Sequence, residues 1–340
     1  MDTTLLPFIE QMPKAELHLH IEGSLEPEMV FALACRNGLQ LPYPDVASLR
    51  QAYDFSNLQE FLDVYYAGMA VLRTRQDFYD LTWAYLQRAQ QERIVHVEIF
   101  FDPQAHLERG IPLATQIDGI HAALADGQRQ LGISFRLILS FLRHLSEESA
   151  FQTLEQAMPY LNRIDGFGLD SSEVGHPPEK FARLFARCRQ LGFKICVHAG
   201  EEGPPDYVQQ AVNLLQVDRI DHGNRALEDE ALLVQLAARQ IPLTLCPLSN
   251  LKLHVVQQLQ QHPLLKLLQR GLLVTINSDD PAYFGGYLSA NYRALLEHLP
   301  ISREQLRQLA CNSFTASWLP AEDKAVWIGR INQLFASAPA

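Results

Sequence analysis

Eight short β-rich runs, separated by stretches of helical periodicity, constrain the fold of this chain more than any other feature. They are Ala15 to His20, Ile94 to Phe101, Ile133 to Phe141, Gly166 to Asp170, Phe193 to His198, Arg219 to His222, Pro242 to Cys246 and Leu272 to Asn277. Between them lie segments such as 181–188 and 231–238, whose apolar residues recur every three or four positions. Strands that alternate with helices run parallel, because each helix carries the chain back to the end at which the previous strand began. Eight of them predict an α/β fold, a (β/α)8 TIM barrel, whose active site lies at the C-terminal ends of the strands.

With 340 residues the chain exceeds the roughly 250 typical of such a barrel, and much of the excess falls between the first two runs. Residues 25–92 read as a helical insertion after the first strand, with Phe55, Leu58, Phe61, Leu62 and Tyr65 at helical spacing and a second amphipathic segment from Phe78 to Ala89. These helices are expected to cap the barrel mouth, the alternative being that they pad the outer wall. Helical spacing returns at Tyr287 to Leu299 and Arg303 to Ala310. No repeat, low-complexity tract or linker divides the sequence, so one barrel domain over residues 1–340 is expected.

A net charge of -11 without any Lys/Arg-rich run argues against a nucleic-acid partner, whose affinity comes largely from neutralised phosphates, and favours a small-molecule substrate. No window approaches the ~20 apolar residues of a membrane span, and residues 1–10 lack a basic segment followed by an apolar stretch. A cytoplasmic protein without a membrane partner is expected, and a homo-oligomer is compatible with the sequence. The five cysteines, Cys35, Cys188, Cys196, Cys246 and Cys311, form no CxxC, which fits a reducing compartment. Cys196 and Cys246 lie in apolar runs and read as core residues.

The first run ends in His18 and His20, which point to one side of a strand while Leu17, Leu19 and Ile21 point to the other. Polar residues also follow the fifth, sixth and eighth runs, in His198-Ala-Gly-Glu-Glu202, Asp221-His-Gly-Asn224 and Asn277-Ser-Asp-Asp-Pro281. Taken singly, each has an ordinary explanation: a strand-end His is commonly hydrogen-bonded, and Asp-Asp-Pro begins turns or caps helices. Taken together, they fall at the same end of successive barrel strands. Three imidazoles and a carboxylate suit one zinc ion per chain with a place left for water, and His18, His20, His198 and Asp279 are the expected ligands.

The stretches Glu16-Leu-His-Leu-His-Ile-Glu-Gly-Ser24, Val197-His-Ala-Gly-Glu201, Asp221-His-Gly223 and Ser278-Asp-Asp-Pro281 resemble the adenosine and adenine deaminases of the amidohydrolase superfamily, in the family's order over most of the chain. The resemblance implies an aminopurine substrate, Glu201 as proton donor to the purine, His222 beside the attacking hydroxide, and Asp280 bonded to the purine ring. The segments Asp280-Pro-Ala-Tyr-Phe-Gly-Gly-Tyr287 and Cys246-Pro-Leu-Ser-Asn250 look like the bacterial and fungal adenine deaminase branch. After the fourth strand the chain reads Gly168-Leu-Asp-Ser-Ser-Glu-Val-Gly175, departing from the Leu-Ala-Gly-Asp-Glu type segment of adenosine deaminases. Alignment puts Glu173 and Gly175 beside the substrate, with Glu173 filling ribose space or bonding the free N9/N3 edge; an exposed loop carboxylate is the alternative.

The expected reaction is hydrolytic deamination of adenine to hypoxanthine and ammonia. Adenosine or an N6-substituted adenine as substrate, a two-metal barrel hydrolase and a non-catalytic purine-binding protein are the alternatives. The His-x-Glu and Pro-Cys-x-x-Cys pattern of the nucleic-acid deaminases is absent.

Overall fold

The computed structural model describes residues 3–337. Eight strands form one sheet in sequential order: β1 (Lys14–His20), β2 (Ile94–Phe101), β3 (Ser134–Leu142), β4 (Gly166–Asp170), β5 (Lys194–Ala199), β6 (Arg219–His222), β7 (Leu243–Leu245) and β8 (Val274–Ile276). All seven neighbouring pairs are parallel. A parallel bridge between Leu19 and Asp279 brings the last strand's end back to the first, with Asp279 N–H donating to the His18 carbonyl at 3.0 Å and His20 N–H to the Asp279 carbonyl at 3.1 Å. The expected barrel is therefore present, nearly closed, and its eight strands coincide with the eight runs.

In β1 the register slips between Glu16 and Leu19, so a bulge re-aims the strand where its histidines begin. Leu17, Leu19 and Ile21 are fully buried in the apolar layer under the helices, and His18 and His20 face inward. The barrel's interior is polar lower down: Glu98, Arg219 and Asp221 are buried together, with the Arg219 guanidinium 4.8 Å from the centre of the Trp318 ring. Cys196 and Cys246 are fully buried, as the apolar runs predict.

The 25–92 segment divides into two roles. Helix Arg75–Gln91 opens with a capping box from Thr74 and Asp77 and packs along helix Leu113–Leu131 in the outer layer. Helix Leu58–Gly68, capped by Asn57, turns Phe61, Leu62 and Tyr65 inward over the mouth, where Phe61 meets Phe284 with ring centres 4.6 Å apart. Capping thus belongs to Leu58–Gly68 and padding to Arg75–Gln91. No helix among the described residues is long and apolar enough to cross a membrane.

Candidate active site

Left-handed backbone marks the mouth: Ser171, His222 and Asp279, all non-glycine, sit at φ 76°, 66° and 65°, just at or beyond the ends of β4, β6 and β8. Such conformations cost energy and persist where surrounding structure holds them, often at functional sites. Here they turn the chain sharply while His222 and Asp279 point into the barrel axis. Gly200 makes the equivalent turn after β5 at φ 73°.

The four expected ligands converge. His18 Nε2 lies 3.2 Å from Asp279 Oδ1, His20 Nε2 lies 3.6 Å from the same oxygen, and His20 Nε2 lies 3.1 Å from His198 Nε2. His222 also reaches this cluster, its Nε2 standing 3.8 Å from Asp279 Oδ2. The other ring nitrogens face acceptors. Thr244 donates its hydroxyl hydrogen to Asp221 at 3.0 Å and so accepts from His18 Nδ1 at 2.9 Å. Asp170 Oδ2 is 3.5 Å from His20 Nδ1, and Asp221 Oδ2 is 3.6 Å from His198 Nδ1.

Thr244 keeps a hydrogen on His18 Nδ1 and frees its Nε2, and the carboxylates of Asp170 and Asp221 stand behind the His20 and His198 rings, the arrangement of metal sites whose histidines are backed by outer carboxylates. Lone pairs brought face to face in a buried site fit a shared cation, and three imidazoles with one carboxylate are a donor set for zinc-like ions.

Charge in the site is set by burial and by neighbours. Burial alone would raise Asp279, but protons on the facing imidazoles, His18 first, outweigh it and hold the carboxylate low; a shared cation in their place does the same. Glu201 is pushed well above the carboxylate range, first by burial and then by the negative charges of Asp279, Glu202 and Glu173, which favours its protonated form. Burial brings His222 down to about 3, leaving it neutral, with Nε2 3.4 Å from Glu201 Oε2. Asp280 is likewise raised by burial and by Asp279.

His20, His198, Glu201, His222, Asp279 and Asp280 line one cavity with Asp102, Asp170 and Ser171 on one side and Leu58, Phe61, Leu62, Tyr65, Tyr66 and Phe284 above. About 30 Å³ between them is open to a water-sized sphere, room for water and not for a purine. A purine enters only if the lining moves, and Leu58–Gly68 carries much of that lining.

Two expectations need correction. Glu173 is buried, not an exposed loop charge, and it does not line the cavity. Its carboxylate accepts the backbone N–H groups of Gly200 at 2.6 Å, Glu201 at 3.1 Å, Glu202 at 2.8 Å and Gly203 at 2.8 Å, leaving it nothing to offer a substrate edge. Gly175, at φ 84°, serves a turn; a Cβ built there meets nothing within 4 Å, and it too stands outside the cavity lining.

Sequence reasoning did not single out Gly23, Asp102 or Arg143. A Cβ on Gly23 would lie 1.9 Å from Asp280 Oδ1, so only glycine lets that carboxylate occupy its place. Gly23 follows the His-Leu-His-Ile-Glu stretch directly, and Asp102 and Arg143 each follow an apolar run; that adjacency was the available signal.

Eight parallel strands carrying a His/Asp cluster at their C-terminal ends define a hydrolase barrel of the amidohydrolase kind. The chain belongs to the adenosine deaminase family, whose model matches residues 13–334. It is 57% identical to an adenine deaminase of Marinomonas sp. (strain MWYL1) over 98% of this chain and 99% of that protein. Among solved structures, an adenine deaminase from Arthrobacter aurescens superimposes with a TM-score of 0.94 at 49% identity, covering 96% of this chain and all of that one. An amidohydrolase from Burkholderia ambifaria with bound Zn superimposes with a TM-score of 0.91 at 27% identity, covering 99% of this chain and 94% of that one.

Proposed function

We propose that this protein deaminates adenine hydrolytically, giving hypoxanthine and ammonia, with one zinc ion per chain held by His18, His20, His198 and Asp279. The observation that carries the reading is a buried Glu201 carboxyl standing 3.4 Å from His222 Nε2 beside the converging imidazoles. The adenine deaminase relatives and the Zn of the Burkholderia amidohydrolase support it.

Zinc bound there supplies Lewis acidity that makes a water deprotonable near neutral pH. Glu201 gives its proton to N1 of the purine, which drains electron density from C6 and opens it to attack. His222, neutral and hydrogen-bonding, orients the attacking water and takes up its proton. Asp280, held on Gly23, bonds the imidazole edge of the base and fixes which face meets His18, His20 and His198. His222 then returns that proton to the amino nitrogen, which leaves C6 as ammonia, and the remaining proton of the new C6–OH passes back to the Glu201 carboxylate as the C6 carbonyl forms.

A phosphorylated substrate is disfavoured: among the described residues no lysine or arginine lines the cavity to receive a 5′-phosphate, while Asp102, Asp170 and Asp280 do. All five cysteines are unpaired, which supports a cytoplasmic location.

Ammonia release by the zinc-loaded protein, measured over adenine, adenosine, N6-substituted adenines and AMP, tests the reading. Adenine is expected to exceed adenosine by ~10²-fold or more in kcat/KM, since misfit and unpaired polar groups discriminate strongly. Equal or better turnover of adenosine contradicts the adenine assignment and leaves a deaminase.

A further inference from the structure

The loop that carries Glu201 is organised around a group that never touches the cavity. Four successive backbone N–H groups, those of Gly200 through Gly203, all donate to the single carboxylate of Glu173. Consecutive amides that converge on one point form a nest, a backbone concavity that binds anions and is shaped here by left-handed Gly200 at φ 73°. Glu173 is the anion, delivered from the β4 side. The fit is close: a Cβ on Gly203 would stand 2.6 Å from Glu173 Oε1.

The same segment is held at its other end. Arg143, fully buried at the end of β3, donates through Nη1 to the His198 carbonyl at 2.6 Å and through Nε to the His176 carbonyl at 2.9 Å. His176 N–H donates in turn to the Glu173 carbonyl at 3.0 Å, so the two charged residues are tied through one turn. From the outside, Arg225 Nη1 donates to the Glu202 carbonyl at 2.7 Å. Between these anchors the chain has one course, and it sends the Glu201 side chain toward His222.

We propose that Glu173 is a positioning residue for the deamination: by occupying the nest formed by residues 200–203 it fixes the Glu201 carboxyl against the purine N1. This rests on the functional reading above. Glu173 transfers no proton and contacts no substrate. Its effect belongs in kcat, because misplacing a general acid by a fraction of an ångström removes an interaction made in the transition state and leaves ground-state binding.

Glu173→Gln keeps the shape, offers one acceptor oxygen and turns an NH2 toward donors. It should lower kcat for adenine on the order of 10- to 100-fold, with KM changed by less than about 3-fold and zinc retained. In the Glu201→Gln background the same substitution should cost almost nothing more, since there is no acid left to place. Amide hydrogen exchange at residues 200–203 should accelerate in Glu173→Gln while the strands stay protected.

Multiplying effects in the double variant, a change in KM alone, or unaltered exchange at 200–203 overturns the proposal. Should Glu173→Gln fail to fold, Glu173→Asp keeps the charge and shortens its reach into the nest. It should lower kcat several-fold with KM and zinc little changed, and an unchanged kcat there contradicts the proposal. If the unmodified protein does not deaminate adenine, the functional reading fails, and the exchange rates at 200–203 still decide whether Glu173 holds the loop.

Discussion

His20 and His198 bring their Nε2 atoms to 3.1 Å of each other while Asp170 and Asp221 stand behind the rings on the Nδ1 side. Two such nitrogens share either a hydrogen or a cation, and negative charge behind both rings favours the cation. Removing any one ligand should therefore empty the site. His18→Ala, His198→Ala and Asp279→Ala are each expected to lose zinc on purification, with activity falling in step. Full retention of metal in all three contradicts the ligand assignment.

Glu201→Gln should keep the metal and the fold and lose at least ~10²-fold in kcat, the usual cost of removing a positioned general acid. His222→Ala should also keep the metal and be severely impaired. Steady-state kinetics with metal analysis checks both, and near-normal turnover in either moves the chemistry to other groups.

Gly23→Ala tests the place of Asp280. The new methyl would stand 1.9 Å from Asp280 Oδ1 and 2.6 Å from its Cβ, so the side chain cannot simply swing its far end away. A loss of about 10-fold or more in kcat/KM for adenine is expected, with zinc retained and thermal stability lowered by the overpacking. Unimpaired kcat/KM would mean that Asp280 does not read the base from this position.

Below the site, Glu98 accepts from Arg219, from His96 and from the Trp318 backbone N–H, all inside the barrel. Burial alone would raise Glu98, but Arg219 and His96 bring it down to about 2 from 4.5. A carboxylate whose folded pKa is depressed adds stability above its unfolded value and loses it as pH falls. This contribution is thus complete above about 4.5 and disappears toward about 2. Glu98→Gln leaves the buried Arg219 with Asp221 as its remaining anion and should destabilise the protein by about 1–3 kcal/mol in denaturant unfolding at pH 7, and by much less near pH 2. An equal effect at both pH values contradicts the ion-pair account.

The barrel was legible because its parallel strands are buried on both faces and stand out as apolar runs, and the site because its residues follow those runs directly. His18, His20, His198, Glu201, His222 and Asp279 could be gathered by position alone. Glu173 was misread for the opposite reason. Its partners lie about thirty residues away on backbone amides, which carry no side-chain signature, so a carboxylate that anchors a loop reads like one that meets a ligand. The pairing of Glu98 with Arg219 spans two strands that are not neighbours in the sheet, and only closure of the barrel brings them together.

The most direct test of the account is a titration of chelator-stripped protein with zinc, following adenine loss, hypoxanthine and ammonia together. Activity should rise linearly to a plateau at one zinc per chain, with both products formed in equal amounts. A plateau at two, or turnover of adenine by the stripped protein, would contradict it.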